Sequence, residues 1–260
     1  MDYVIVCLVA LLVSGLTLFS GFGLGTLLMP AFAFFFPLPV AVAATAVVHL
    51  SNNLFKVALL GKKADWGIVL RFGLPAVLAA IAGALLLEYL AEMPALFSWI
   101  WGGTQYPVGL VKLVMGVVIV LFALFELVPA TANLQFDSKF LSLGGAVSGF
   151  FGGLSGHQGA LRAAFLSRAG LEKEAFVATG TISAVLVDVF RLMVYGVAFY
   201  QSRLELSSSV WGLVAAATAC AFVGSFVGVR LLKKVTMRLI QVIIGVLLVF
   251  TGLAMVAGLL

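Results

Sequence analysis

Six stretches of this chain are long enough and apolar enough to cross a bilayer, at 38–60, 67–88, 107–128, 175–199, 209–231 and 237–258. A bilayer core takes about 20 mostly apolar residues per helix. No water reaches that core, so each backbone N–H and C=O must find its partner within the segment, which makes the runs helices. The fold class expected is therefore an all-α polytopic membrane protein. Charged residues are only 10% of the chain, where a soluble domain carries about 25%. The net charge of +5 sits in short clusters between apolar runs, the pattern of cytoplasmic loops rather than of a nucleic-acid surface. Cys7 and Cys220 lie far apart within apolar runs, so they are expected to pack, with no disulfide framework and no metal spacing. Met1-Asp2-Tyr3 lacks the basic residues that precede a cleaved leader, so the first segment is expected to stay in place.

Two further stretches, 3–36 and 140–167, are too long for one span and too short for two. Glycines interrupt both: Gly21, Gly23 and Gly25 in the first, and Gly152, Gly153, Gly156 and Gly159 in the second. Glycine weakens helix interiors and permits close backbone approach, so each stretch reads as a broken helix or a helical hairpin. The segments at 89–106 and 129–139 read as the longest loops.

The halves repeat. At an offset of 134, Ser14-Gly15 falls on Ser148-Gly149, Gly25 on Gly159, and Ala44-Thr45 on Ala178-Thr179. The register then shifts by one, so Asn53 meets Asp188 and Lys56 meets Arg191. Trp66-Gly67 later matches Trp211-Gly212. Two transmembrane repeats follow, 1–128 and 139–260, with 129–138 as the linking loop. Each is a broken helix or hairpin followed by three transmembrane helices, eight to ten segments in all.

Charge placement sets their orientation. If each broken segment crosses once, the basic loop residues divide almost evenly between the two sides. If each enters and leaves on one face, or crosses twice, ten basic residues share a side: Lys62, Lys63, Arg71, Lys139, Arg168, Lys173, Arg230, Lys233, Lys234 and Arg238. Only Arg203 lies opposite, and the segment with Glu88 and Glu92 falls outside. Lys/Arg asymmetry in short loops is the main orientation signal. The repeats are therefore expected to be inverted, with both termini outside.

Paired broken helices in inverted repeats are a recurring transporter architecture, with the substrate near the midplane at the breaks. Free N–H groups at helix starts suit an anion. His49, Asn52, Asn53 and Lys56 share a helical face, as do Thr181, Asp188, Arg191 and Tyr195. Arg162 and Gln158 follow the second break. The candidate substrate-binding residues are Gly21, Gly23, Gly25, Asn52, Asn53, Gly156, Gln158, Arg162 and Arg191. The candidate coupling residues are Asp188, an embedded carboxylate of the kind found in proton relays, and His49. Asp188 either carries a coupled proton or holds Arg191 in place. Lys56 reads more readily as a side chain snorkelling to the interface. No metal or cofactor is expected; the expected partners are a small anion, the lipid bilayer and protons as coupling ion.

The doubled pattern, SGFGLGTLLMPAF in one half and SGFFGGLSGHQGALRAAFL in the other, resembles the sulfite exporter TauE/SafE family over nearly the whole chain. The resemblance implies a permease of a bacterial-type inner (plasma) membrane. Its cargo would be sulfite, a sulfonate or a related sulfur-containing organic acid, moved by alternating access. His157-Gln158 and Arg162 depart from a plain glycine repeat. An anion channel is the rival reading. Gly153-Leu154-Ser155-Gly156 also matches the GxSG of intramembrane serine proteases. No histidine follows Ser155 at a helix-to-helix distance, so the general base is missing from its usual place and no enzyme is expected.

Overall fold

The computed structural model describes residues 2–17, 24–128, 135–202, 208–231 and 237–260. Gly21 and Gly23, and most of the linking segment, lie outside them. Ten α-helices are present among the described residues. In the first half they are α1 Asp2–Thr17, α2 Leu24–Ala33, α3 Leu38–Leu60, α4 Trp66–Ala91 and α5 Leu110–Leu127. In the second they are α6 Leu141–Ser155, α7 Gly159–Leu166, α8 Lys173–Ser202, α9 Ser208–Leu231 and α10 Met237–Val256. The stretches Leu38–Lys63, Trp66–Ala91, Lys173–Val197 and Val210–Val227 are long and apolar enough to cross a membrane; α5 and α10 carry shorter apolar runs. The chain is a mostly helical, multi-pass membrane protein.

The expected loop at 89–106 is different. Helix α4 runs on to Ala91, so Glu88 is helical. Strands β1 Ala95–Trp101 and β2 Thr104–Gly109 then pair antiparallel as a hairpin. Gly102 and Gly103, at φ 59° and 81°, make its turn. Two successive left-handed residues match the right-handed twist of the strands, and glycine takes that conformation without strain.

Helix α6 shows why the small residues are where they are. Gly145, Gly149 and Gly153 recur every fourth residue and so form one stripe. A Cβ at any of them would overlap the carbonyl of Phe72, Ala76 or Ala80 on α4, respectively. The backbones touch, and the contact is van der Waals packing of the kind that replaces the hydrophobic effect inside a bilayer. On α4 the large residues Leu70, Leu74, Leu78 and Leu85 stay exposed while Gly73, Ala76, Ala80 and Gly83 are covered. Gly152 and Gly153 therefore belong to the continuous helix and not to its break, which is confined to Gly156–Gln158.

Helices α6 and α7 fold back on each other. At the base, Phe136 N–H donates to Ala164 O (3.1 Å) and the rings of Phe136 and Phe165 stack at 4.2 Å. Gly144 leaves room for Phe165. With 15 residues in α6, the hairpin reaches about 22 Å, short of the roughly 30 Å core.

Helix pairing follows one scheme in both halves. Helix α4 packs on α6 and α9 on α1; α4 reaches α8 and α9 reaches α3; α3 meets α8, and α5 meets α10. Exchanging each element for its counterpart leaves these pairings unchanged. The last two pairs are antiparallel. Helices α5 and α10 cross where Gly116 lies against Gly252, with Gly245 packed near Leu127. Helices α3 and α8 are tied by Lys63–Glu174 at one end and His49–Asp188 in the middle. Lys62, Lys63, Arg71, Lys139, Arg168 and Lys173 gather at one end of the bundle. The contacts of Ser142 Oγ with Arg71 O (3.2 Å) and of Arg168 Nε with Gln135 Oε1 (3.2 Å) tie that end together. The start of α1 and the end of α10 lie at the other, where Tyr3 packs near Gly212 and Trp99 Nε1 donates to Ala257 O (2.7 Å).

Candidate functional site

The break after α6 is made by Gly156, whose φ of 79° is left-handed and whose N–H closes the helix on Gly152 O at 3.0 Å. That conformation ends helices and favours glycine. The tip places His157 and Gln158 inside the bundle, each 2% exposed. A Cβ at Gly25, in the first turn of α2, would lie 3.2 Å from Gly156 O and 3.7 Å from the His49 ring. The start of α2 and the tip of the second hairpin thus meet beside His49.

A layer of charge crosses the bundle here. Asp188 and Arg191, one turn apart on α8, are both fully buried, and Arg191 Nη2 lies 2.7 Å from Asp188 Oδ1. His49 Nδ1, from α3, lies 2.6 Å from Asp188 Oδ2; a proton must occupy that gap. Gln158 Nε2 donates to Asp188 Oδ1 (3.1 Å), and the Asn53 amide sits 3.1 Å from His49 Nδ1. Arg191 Nη1 donates to Gly152 O (2.8 Å), and the Tyr195 hydroxyl donates to Gly153 O. These carbonyls belong to the last turn of α6, where the helix dipole is negative, and Gly152 O accepts from Arg191 in addition to the Gly156 N–H. The end of α6 therefore takes a cation, not an anion. Asn52 Oδ1 is taken by Ser225 Oγ at 2.9 Å.

Two cavities flank this layer. Toward the lysine-rich end, a cavity of about 20 Å³ is lined by Asn53, Lys56, Arg162, Gly180 and Thr181 together with apolar side chains. Arg162, in the first turn of α7, is 5% exposed. No carboxylate lines this cavity among the described residues. Toward the other end, a cavity of about 240 Å³ is lined by Ala43, Ala44, Val47, Leu192, Tyr195 and Val214 among others. The first has room for about one water molecule; the second is larger and almost wholly apolar.

Of the residues expected to hold an anion, Arg162 and Asn53 line the cationic cavity, Gly25 and Gly156 meet beside His49, and Gln158, Asn52 and Arg191 are engaged inside the protein. The spacing of Lys56 also fits a snorkelling lysine, and its place beside Arg162 depends on an element more than 100 residues away. Ser155 has no activated geometry. Its Oγ donates to Phe151 O at 3.0 Å, and His157 Nδ1 donates to Ser155 O at 2.9 Å. A nitrogen that carries that proton cannot accept one from the serine 3.2 Å away. No cluster of three metal-ligating His, Cys, Asp or Glu is found among the described residues.

A family model described as sulfite exporter TauE/SafE matches residues 5–255. No curated protein matches the chain. The match runs through both glycine-interrupted stretches and the helices that follow them, and the chain belongs to the TauE/SafE sulfite exporter family, whose members are membrane transport proteins rather than enzymes.

Proposed function

We propose that this protein carries a small sulfur oxyanion, sulfite or a sulfonate, across the inner (plasma) membrane by alternating access between two inverted repeats. One observation carries the reading: Lys56 and Arg162 face one cavity whose lining, among the described residues, includes no carboxylate. Around the cavity and the adjoining layer, three cationic side chains (Lys56, Arg162 and Arg191) stand against one carboxylate, Asp188. Cationic side chains gathered within a bilayer favour a negative charge beside them. An oxyanion supplies that charge, and a guanidinium donates to it in pairs. The cavity is too small for the anion as it stands, so binding requires the helices around it to move apart. The His49–Asp188–Arg191 layer separates the two cavities along α3 and α8, which favours a carrier over an open channel. The opposite directions of counterpart helices support inverted repeats, with Asp2 and Leu260 extracytoplasmic.

In this reading Arg162 and Lys56 bind the anion, Asn53 and Thr181 orient it, and Arg191 is a positioning residue for Asp188 and the hairpin tip. The proton between His49 and Asp188 is the coupled ion. Calorimetry on the purified protein with sulfite, sulfoacetate, taurine, sulfate and a neutral control tests the cargo. The expected result is binding of a sulfur oxyanion and none of the neutral compound. Equal binding of the neutral control overturns the reading. His49→Gln is expected to make transport insensitive to an imposed pH gradient in proteoliposomes. Unchanged proton dependence there removes the coupling role.

A further inference from the structure

The hairpin Ala95–Gly109 belongs to neither cavity, and its surface is unlike the rest of the connections. No charged residue lies between Glu92 and Lys112. Pairing places Phe97 opposite Val108, Trp99 opposite Tyr106 and Trp101 opposite Thr104 on one face, with Ser98 opposite Pro107 and Ile100 opposite Gln105 on the other. The base is fixed to the bundle. Val108 is fully buried, Trp99 stacks on Tyr106 at 4.9 Å and bonds Ala257 O, and Lys112 Nζ reaches Pro107 O and Gly258 O at 3.2 and 3.3 Å. Beyond that base, Trp101 is 69% exposed and Phe97 55% on the first face, and Ile100 is 73% exposed on the second.

Three physical requirements select what covers this element. Apolar side chains are exposed on both faces, so a partner docked on one face would leave the other bare. Two-stranded hairpins are marginal in water, and bare strand edges without lysine or other charge invite aggregation there. Yet the same edges carry unpaired N–H and C=O groups, which cannot enter hydrocarbon. An environment that accepts large apolar rings and still offers hydrogen bonds is the headgroup region of a bilayer, where Trp and Tyr concentrate. The hairpin is also tethered there by connectivity, between the end of α4, where Tyr89 and Leu85 are exposed as well, and the start of α5.

We infer that the hairpin is an interfacial anchor, lying in the headgroup layer of the leaflet at the end of the bundle that holds both termini. Its occupant is lipid. With no charged side chain in the segment, the contact needs no anionic lipid and is insensitive to salt. The anchor fixes the depth of the α4, α5 and α10 ends.

The test uses the full chain in phosphatidylcholine proteoliposomes. An Ile100→Cys variant, with Cys7→Ala and Cys220→Ala, carries a nitroxide whose collisions with oxygen and with an aqueous nickel chelate are compared. A second variant keeps Trp101 as its sole tryptophan, with Trp66, Trp99 and Trp211 changed to Phe. The expected result is a nitroxide that oxygen relaxes at least about twofold more than nickel. Trp101 should be quenched by lipid brominated near the glycerol end, little by aqueous iodide, and equally at all protein-to-lipid ratios. A nitroxide relaxed mainly by nickel, with Trp101 open to iodide, overturns the proposal in favour of water or a soluble partner. Quenching that changes as the protein is diluted in lipid overturns it in favour of a second copy of the chain.

Discussion

The polar side chains gathered from α3, α7, α8 and the Gly156–Gln158 break divide into two sets that differ in what they face. Asp188, Arg191, His49 and Gln158 are buried and bonded to one another, and Arg191 also caps α6. Less than two turns of α3 away, Lys56 and Arg162 face a shared space without a carboxylate in its lining. The first set already has its counter-charges, so its removal is felt by the fold. The second lines a cavity, so its removal is expected to be felt by a ligand there. A charge inside a membrane protein is informative chiefly through its partners.

The largest effect expected from that contrast is on stability. Asp188→Asn leaves Arg191 buried without its carboxylate, and Arg191→Gln leaves Asp188 likewise. Breaking one side of a buried pair costs about 3–5 kcal/mol. Each single variant should unfold at clearly lower temperature in detergent, and the double variant should recover part of the loss. Singles that melt within a degree of the parent would show that the layer is not structurally committed, and the contrast would collapse.

Next comes affinity. Arg162→Gln is expected to weaken oxyanion binding about tenfold, roughly 1.4 kcal/mol, with a smaller loss of stability than Asp188→Asn. Arg162→Lys should fall between, since it keeps the charge and loses the paired donors. If Arg162→Gln binds as tightly as the parent while folded, the cationic cavity is not the anion site. Lys56, half-buried and a single-point donor, should matter less: about fivefold for Lys56→Gln, near 1 kcal/mol.

Much of the architecture was legible without coordinates, because a bilayer allows few solutions. Four of the six expected spans fall on helices long and apolar enough to cross, among them α3 at Leu38–Leu60, whereas the span expected at 107–128 starts as a helix only at Leu110, because 107–109 belong to β2. The site was legible in part. His49, Asn53, Arg162, Asp188 and Arg191 do converge, yet the sequence could not say which arginine is engaged. Arg191's partner Gly152 is 39 residues away, and that of Asp188, His49, is 139 away. Glycines posed the same difficulty. Gly149 and Gly156 look alike in sequence, but one is pressed against the Ala76 carbonyl and the other ends a helix. The β hairpin escaped notice because strands are recognised by alternation of apolar and polar residues. In Ala95–Trp101 almost every residue is apolar, and only Gly102-Gly103 marked the turn.

The smallest effect concerns what holds the cationic cavity shut. Lys63, after α3, pairs with Glu174, at the start of α8, and the Asp65 N–H donates to Thr179 Oγ1 at 3.0 Å. Together they tie the α3–α4 turn to α8 on the lysine-rich side of Arg162. The two charged side chains are 54% and 58% exposed, and exposed pairs contribute about 1 kcal/mol at most. Such an energy shifts an opening equilibrium by no more than about fivefold. Glu174→Gln should therefore raise the rate at which a Thr181→Cys thiol reacts with an impermeant reagent, on the lysine-rich side, by two- to fivefold. Salt near 1 M shortens the screening length to about 3 Å, so the difference between parent and variant should then vanish. The hydrogen bond to Thr179 remains in both, which keeps the closed state dominant. A rate that rises a hundredfold would mean that Lys63–Glu174 alone holds the cavity closed. A rate unchanged at low salt would place the closure deeper, in the charged layer itself.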